Sequence, residues 1–197
     1  ARLREVAKRT GHMQYYYFAY QIEIRHMMDD NMAKAMQLAK QMTSDADSDP
    51  EPYGKFVAFQ QLGEVYHMRN FNKMSLDYYR KALEVAPKLA TRQRTTQIYL
   101  SIAQLFNDKD SAFRYYRKSL REALDAGDSL SAYSAMCNTY GELNDRSEFY
   151  NTYDKVEKML RTQDAGNSVG FITAAFKASF DGDYDKAYAI LDKDTLR

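Results

Sequence analysis

The sequence predicts an all-α protein built from repeated helical hairpins. Glycine and proline, which interrupt helices, number only 8 and 3 among 197 residues. Such a composition favours long helices over a sheet of short strands joined by many turns. Apolar residues recur at helical spacing on two successive stretches between 56 and 89, and a related pattern returns along the chain.

The clearest unit runs from 56 to 89. Its first helical face carries Phe59, Leu62, Gly63 and Tyr66, and its second carries Leu76, Tyr79, Ala82 and Leu83. A turn at 69–72 separates the two faces, and Pro87 ends the second. This spacing is typical of two amphipathic helices joined by a short turn.

This unit resembles the tetratricopeptide repeat, a helix–turn–helix of 34 residues. That pattern has a large residue fourth, Leu and a small residue seventh and eighth, and an aromatic eleventh. It then has a small residue twentieth, an aromatic twenty-fourth, Ala twenty-seventh and Pro thirty-second. Here these places hold Phe59, Leu62, Gly63, Tyr66, Ser75, Tyr79, Ala82 and Pro87. The resemblance implies a right-handed α-solenoid of about five such repeats.

The repeats are predicted at about 12–45, 54–89, 93–126, 130–163 and 168–197, in a single repeat domain covering 1–197. Residues 1–11 are interpreted as the tail of a preceding helix, so the domain is expected to belong to a longer protein. Gly11, Gly127 and Gly166 each follow a helical run, as expected for left-handed C-caps. The repeat spacing exceeds 34 residues, which also resembles, more weakly, the long-format arrays of bacterial regulatory proteins.

Charge and composition argue against several classes of function. The 28 basic and 27 acidic side chains nearly cancel, so no general attraction to nucleic acid is expected. The longest nearly apolar stretch, 169–176, is too short to cross a bilayer. We therefore expect a soluble chain, cytoplasmic or, in a sensor, periplasmic, without direct membrane insertion. The single cysteine, Cys137, excludes an internal disulfide and is interpreted as a buried structural thiol.

No pattern predicts an enzyme, a metal site or a cofactor. Asp45, Asp47 and Asp49 resemble the start of a calcium loop, but Pro50 and Phe56 stand where Gly and Glu are required. The segment 43–52 is instead interpreted as a solvated acidic loop between repeats. A basic run around 114–121 is interpreted as a solvated helix face rather than an RNA site.

The resemblance implies a concave groove, lined by the first helix of each repeat, that binds a protein or peptide. The positions expected to face this groove are Tyr17, Tyr20, Met27, Gln60, Glu64, His67, Gln104, Asn107, Asn138 and Phe176. The cationic clamp that seizes a terminal carboxylate in some family members is not expected, because Ser134 stands at its lysine place. The alternative function is the ligand-sensing domain of a bacterial signal-transduction or transcriptional regulator.

Overall fold

The protein is described by a computed structural model that covers residues 2–89, 95–126, 129–162 and 171–195. Within these ranges it is all-α, as predicted. The eleven α-helices of the described residues are α1 (Arg2–Arg9), α2 (Met13–Asp30), α3 (Met32–Asp47), α4 (Pro52–Met68), α5 (Asn72–Val85), α6 (Thr96–Ala103), α7 (Lys109–Ala126), α8 (Ser129–Glu142), α9 (Arg146–Thr162), α10 (Phe171–Phe180) and α11 (Tyr184–Thr195). A short 3-10 turn, Ala86–Lys88, follows α5 and contains Pro87.

The chain forms two compact units, residues 1–105 with α1 to α6 and residues 106–197 with α7 to α11. In the first unit α2 packs on α3 and α4 on α5, and in the second α8 packs on α9 and α10 on α11. Successive hairpins also touch, since α4 packs on α2 and α3, and α10 packs on α8. Each unit therefore has the stacked-hairpin packing of an α-solenoid. The boundaries of the individual repeats stay a prediction.

Four turns at helix ends have the same backbone conformation. Gly11, Asn70, Asn144 and Gly182 have φ values of 74°, 60°, 53° and 84°. After each, the next N–H donates to the carbonyl five residues earlier, as from Phe71 to Tyr66 at 3.0 Å. This is the Schellman motif, which satisfies the last carbonyls of a helix. The C-cap predicted at Gly11 is confirmed, whereas those at Gly127 and Gly166 lie outside the described residues.

Most second helices of the hairpins begin with the same side-chain cap. Asn31 Oδ1 accepts the Lys34 N–H at 3.0 Å before α3, and the carboxylates of Asp145 and Asp183 do the same before α9 and α11. Asp108 caps α7 through the Ser111 N–H at 2.8 Å. Each cap satisfies a backbone donor that the helix leaves unpaired.

The acidic segment differs from the expected loop. Helix α3 continues through Asp47, so only 48–51 separates it from α4. Asp45 therefore lies on the last turns of a helix, within reach of the tyrosines of α2. Its hydrogen bonds to Tyr16 and Tyr20 give that extension a physical reason.

Glycine allows close approach between helices at three places, the first being Gly54, where a Cβ would lie 2.4 Å from the Tyr17 ring. A Cβ on Gly63 would lie 2.6 Å from the Tyr79 ring, and one on Gly141 would lie 2.6 Å from the Phe176 ring. The bare Gly63 backbone also accepts a hydrogen bond from the buried Ser75 hydroxyl at 2.7 Å. Helices α4 and α5 therefore meet through a glycine on one side and an aromatic ring on the other.

Candidate functional site

Helix α4 carries three of the predicted groove residues. Gln60, Glu64 and His67 are spaced i, i+4 and i+7 and are all half-buried, so they form one row along the helix. Other sides of α4 are covered, because it packs against α2, α3 and α5. The three side chains of this row are thus neither buried nor fully solvated.

Glu64 supplies the charge of this row. Its Oε2 accepts a hydrogen bond from Gln61 Nε2 at 3.0 Å, and Gln61 itself is 1% exposed. Burial raises the pKa of Tyr79 to about 12, and the Glu64 carboxylate adds to that rise. Burial also lowers the pKa of His67, whereas Glu64 acts in the opposite direction. The histidine is therefore neutral at pH 7 and the row has a net negative charge.

The predicted groove residues of α2 divide into two groups. Tyr17 and Tyr20 are completely buried, so the structure places them in the interior and not on a surface that meets a ligand. Met27 is half-buried. The large apolar side chains exposed on this helix are Tyr15, Phe18 and Ile22, which the sequence analysis did not select.

A tyrosine–aspartate network explains the burial on α2. The hydroxyls of Tyr16 and Tyr20 both donate to Asp45 Oδ2 at 2.6 Å, and the Tyr17 hydroxyl donates to Asp49 Oδ2 at 2.8 Å. Burial, followed by these hydrogen bonds, raises the pKa of Tyr17 and of Tyr20. Asp45 and Asp49, two of the three residues that resembled a calcium loop, thus accept hydrogen bonds from tyrosines of α2. These bonds join α2 to the end of α3 and the segment after it.

Gln104 and Asn107 are exposed at the end of α6 and in the segment before α7. Gln104 is the C-cap residue of α6, and its own N–H bonds to the Leu100 carbonyl at 3.1 Å. The boundary between the two compact units falls between these residues. Gln104 therefore belongs to the same unit as the α4 row, and Asn107 belongs to the other.

In the second unit Asn138 contacts a neighbouring hairpin. Its Oδ1 accepts a hydrogen bond from the buried Thr173 hydroxyl of α10 at 2.8 Å. Ser134, one turn earlier on α8, is 3% exposed, and its hydroxyl has no hydrogen-bond partner among the described residues. Phe176 is half-buried beside Phe149 and Phe180. Asn138 and Phe176 thus combine a packing role with partial exposure.

Cys137 is a packed thiol. It is completely buried, with its Sγ 3.7 Å from the Phe149 carbonyl. Burial raises the pKa of this thiol to about 12, so it stays protonated at neutral pH and is a poor nucleophile. The structure supports its interpretation as a structural residue.

Neither a metal cluster nor a membrane span is found in the described ranges. No group of three or more His, Cys, Asp or Glu side chains there is arranged to hold a metal ion. Within the same ranges, no helix combines the length and apolar character needed to cross a bilayer.

The class of protein that this fold defines is an α-solenoid of stacked helical hairpins. No family model matches the chain, and no curated protein matches it. Among solved structures, BtubC (BKLC) from P. vanneervenii is similar over 98% of this chain and 85% of its own, at 18% identity and a TM-score of 0.71. NprR, crystallised with its cognate peptide NprX, is similar over 98% of this chain at 15% identity and a TM-score of 0.59. The chain spans 60% of the length of NprR. At these identities the likeness concerns the fold.

Proposed function

We propose that this chain is a non-catalytic binding module of the tetratricopeptide type, which holds a peptide or an extended segment of another protein. The observation that carries the proposal is the half-buried row of Gln60, Glu64 and His67 on α4. Carboxamides offer both donors and acceptors, so such a row suits an extended peptide backbone. NprR, which has a similar fold, was crystallised with a peptide, and that supports this choice of ligand.

The test uses a library of random heptapeptides displayed on phage and selected on the full chain. Selected peptides are synthesised, and their affinity is measured by fluorescence anisotropy. Replacing Gln60, Glu64, His67 and Gln104 together by Ala should abolish binding while the helical circular dichroism spectrum is retained. Asn138 is left intact because the buried Thr173 hydroxyl depends on it.

The matched control replaces four exposed residues of other helices by Ala, namely Lys40, Asp77, Glu84 and Arg121. This control variant should bind the peptides like the unmodified chain. Equal loss in both variants, or full binding by the first, would place the peptide site elsewhere on the molecule.

A second candidate is the sensing portion of a bacterial regulator, in which the bound peptide is a signal. The specific support is that NprR was crystallised with a peptide described as cognate, and that this chain corresponds to only part of NprR. The full reading frame distinguishes the two candidates. A DNA-binding, kinase or membrane segment attached to the array would favour the sensor, and a free-standing array would favour the scaffold.

A further inference from the structure

We propose that the α4 row is a subsite that selects a cationic side chain, so that Glu64 receives a lysine or arginine of the bound segment. This inference rests on the proposed peptide-binding function and names the chemistry that one position of the peptide supplies.

The charge of Glu64 is not balanced by an ion pair among the described residues. This half-buried carboxylate has one neutral donor, Gln61 Nε2, and no ion pair among the described residues. One cation of α5 and one of α4 itself have other partners. Lys81 lies over the Tyr78 ring at 4.9 Å, and Lys55 pairs with Asp47 at 3.8 Å. A partly desolvated carboxylate without a counter-charge is stabilised when a cation arrives.

The side chain of Gln61 is oriented towards Glu64. Its amide turns the N–H group towards Glu64, although its Oε1 is thereby buried without a hydrogen-bond partner in the described part of the chain. An unsatisfied buried carbonyl is costly, so the contact with Glu64 is what orients the amide. The Gln61 N–H in turn fixes the direction of the Glu64 carboxylate.

Acceptors exceed donors among the half-buried side chains of the α4 row. The Glu64 carboxylate only accepts hydrogen bonds, and the neutral imidazole of His67 has one acceptor and one donor. Gln60 has both kinds of group. An ammonium or a guanidinium brings several N–H donors together with the positive charge, whereas a carboxylate would meet repulsion. This chemistry is the opposite of a clamp for a terminal carboxylate.

The test begins with the peptides that the unmodified chain selects. Lys or Arg should be enriched at one position of the aligned peptides. Replacing that residue by norleucine, which keeps the length and removes the charge, should weaken binding about tenfold or more, equal to about 1.4 kcal/mol. Glu64→Gln should weaken the basic peptide by a similar factor and leave the norleucine peptide unaffected.

Two further variants make the result specific. Glu84→Gln, an exposed glutamate on α5, is the control and should change neither affinity. Glu64→Lys, selected against the same library, should enrich Asp or Glu at the position that was basic. Circular dichroism and thermal melts confirm that each variant is folded. Because an unfolded variant would select no acidic peptides, acidic enrichment by Glu64→Lys would show that the charge at this position, and not the loss of structure, changes binding.

The possible outcomes are distinct. Selected peptides without basic enrichment, or equal binding by Glu64→Gln, would overturn the cation subsite while the peptide-binding function survives. Failure of the unmodified chain to select any peptide would overturn both.

Discussion

At the scale of single residues, His67 reports the electrostatics of the α4 row. Burial lowers its pKa, while the Glu64 carboxylate favours the imidazolium and partly opposes that shift. Glu64→Gln removes the opposing influence, so the pKa of His67 should fall further. Protonation of the imidazole in the variant will then require a lower pH than in the unmodified chain.

The measurement is an NMR titration of the histidine ring protons between pH 4 and 8. His12 and His26 give internal reference signals in the same spectra, since the chain has 3 histidines. A rise in the pKa of His67, or an unchanged value, would show that Glu64 does not act on the imidazole. The same titration would then weaken the case for a charged row.

Asp45 joins the end of α3 to α2 through two hydrogen bonds. Asp45→Ala leaves the Tyr16 and Tyr20 hydroxyls without their common acceptor, and Tyr20 is completely buried. We expect the free energy of unfolding to fall by about 2–3 kcal/mol, measured by urea denaturation.

Asp47→Ala is the matched control half a turn away. Its carboxylate is exposed and 3.8 Å from Lys55, so its loss should cost less than about 0.5 kcal/mol. Equal effects of the two substitutions would contradict the network.

The α4 row could be predicted from the sequence, whereas the exposed face of α2 could not. In the repeat at 56–89, Leu62 and Gly63 fix the helical phase of α4, so the positions of Gln60 and Glu64 on that helix follow by geometry. In α2, by contrast, residues 15–18 are all aromatic, so this stretch of the helix does not show which side is packed. The sequence therefore leaves the helical phase of α2 ambiguous. The hydrogen-bond acceptors of Tyr17 and Tyr20 are Asp49 and Asp45, which are distant in sequence.

At the scale of elements, the hairpins are defined by their turns. In the α8–α9 and α10–α11 hairpins an αL residue ends the first helix and an Asp cap begins the second, as at Asn144 and Asp145. The α4–α5 turn has the αL residue Asn70 without a side-chain cap, and the α2–α3 turn has the Asn31 cap without an αL residue. Glycine signals such a turn clearly in the sequence, whereas Asn70 and Asn144 signal it more weakly. Repeats with an Asn turn are therefore predicted from the spacing of apolar residues on their two helices and not from the turn itself.

The turn at Asn144 gives a prediction about stability. Its φ is 53°. Residue types that are branched at Cβ, or that have no polar side-chain atoms, are strained in this left-handed conformation. Asn144→Ala should therefore reduce the free energy of unfolding by about 1 kcal/mol, while Asn144→Gly should leave it unchanged or raise it slightly. Urea denaturation of both variants provides the measurement. If Ala and Gly have the same effect, the left-handed conformation is not what Asn144 supplies.

At the scale of the whole molecule, helices contact near neighbours in the chain. In the first unit α1 packs on α2, and α4 packs on α2, α3 and α5. The hairpin composition of this fold followed from periodicity because each hairpin leaves an apolar face that only a neighbour covers. The division into compact units at 105 and 106 has no such signal, since it depends on contacts summed over many residues.

Neighbour-only packing predicts a graded response to a local defect, and Gly63→Ala tests it. In an isolated helix this change would stabilise by about 1 kcal/mol. Here the new Cβ would lie 2.6 Å from the Tyr79 ring, so we expect a net loss of about 1–3 kcal/mol from overpacking. Hydrogen exchange followed by mass spectrometry should show faster exchange in α4 and α5 and little change in α1, because α1 is separated from the defect by α2. Gln60→Ala, in the half-buried α4 row, is the control and should leave hydrogen exchange in α5 unchanged. Uniform acceleration across α1 to α5 would mean that this unit opens as one cooperative block, and slower exchange in α4 would mean that helix propensity outweighs the contact with Tyr79.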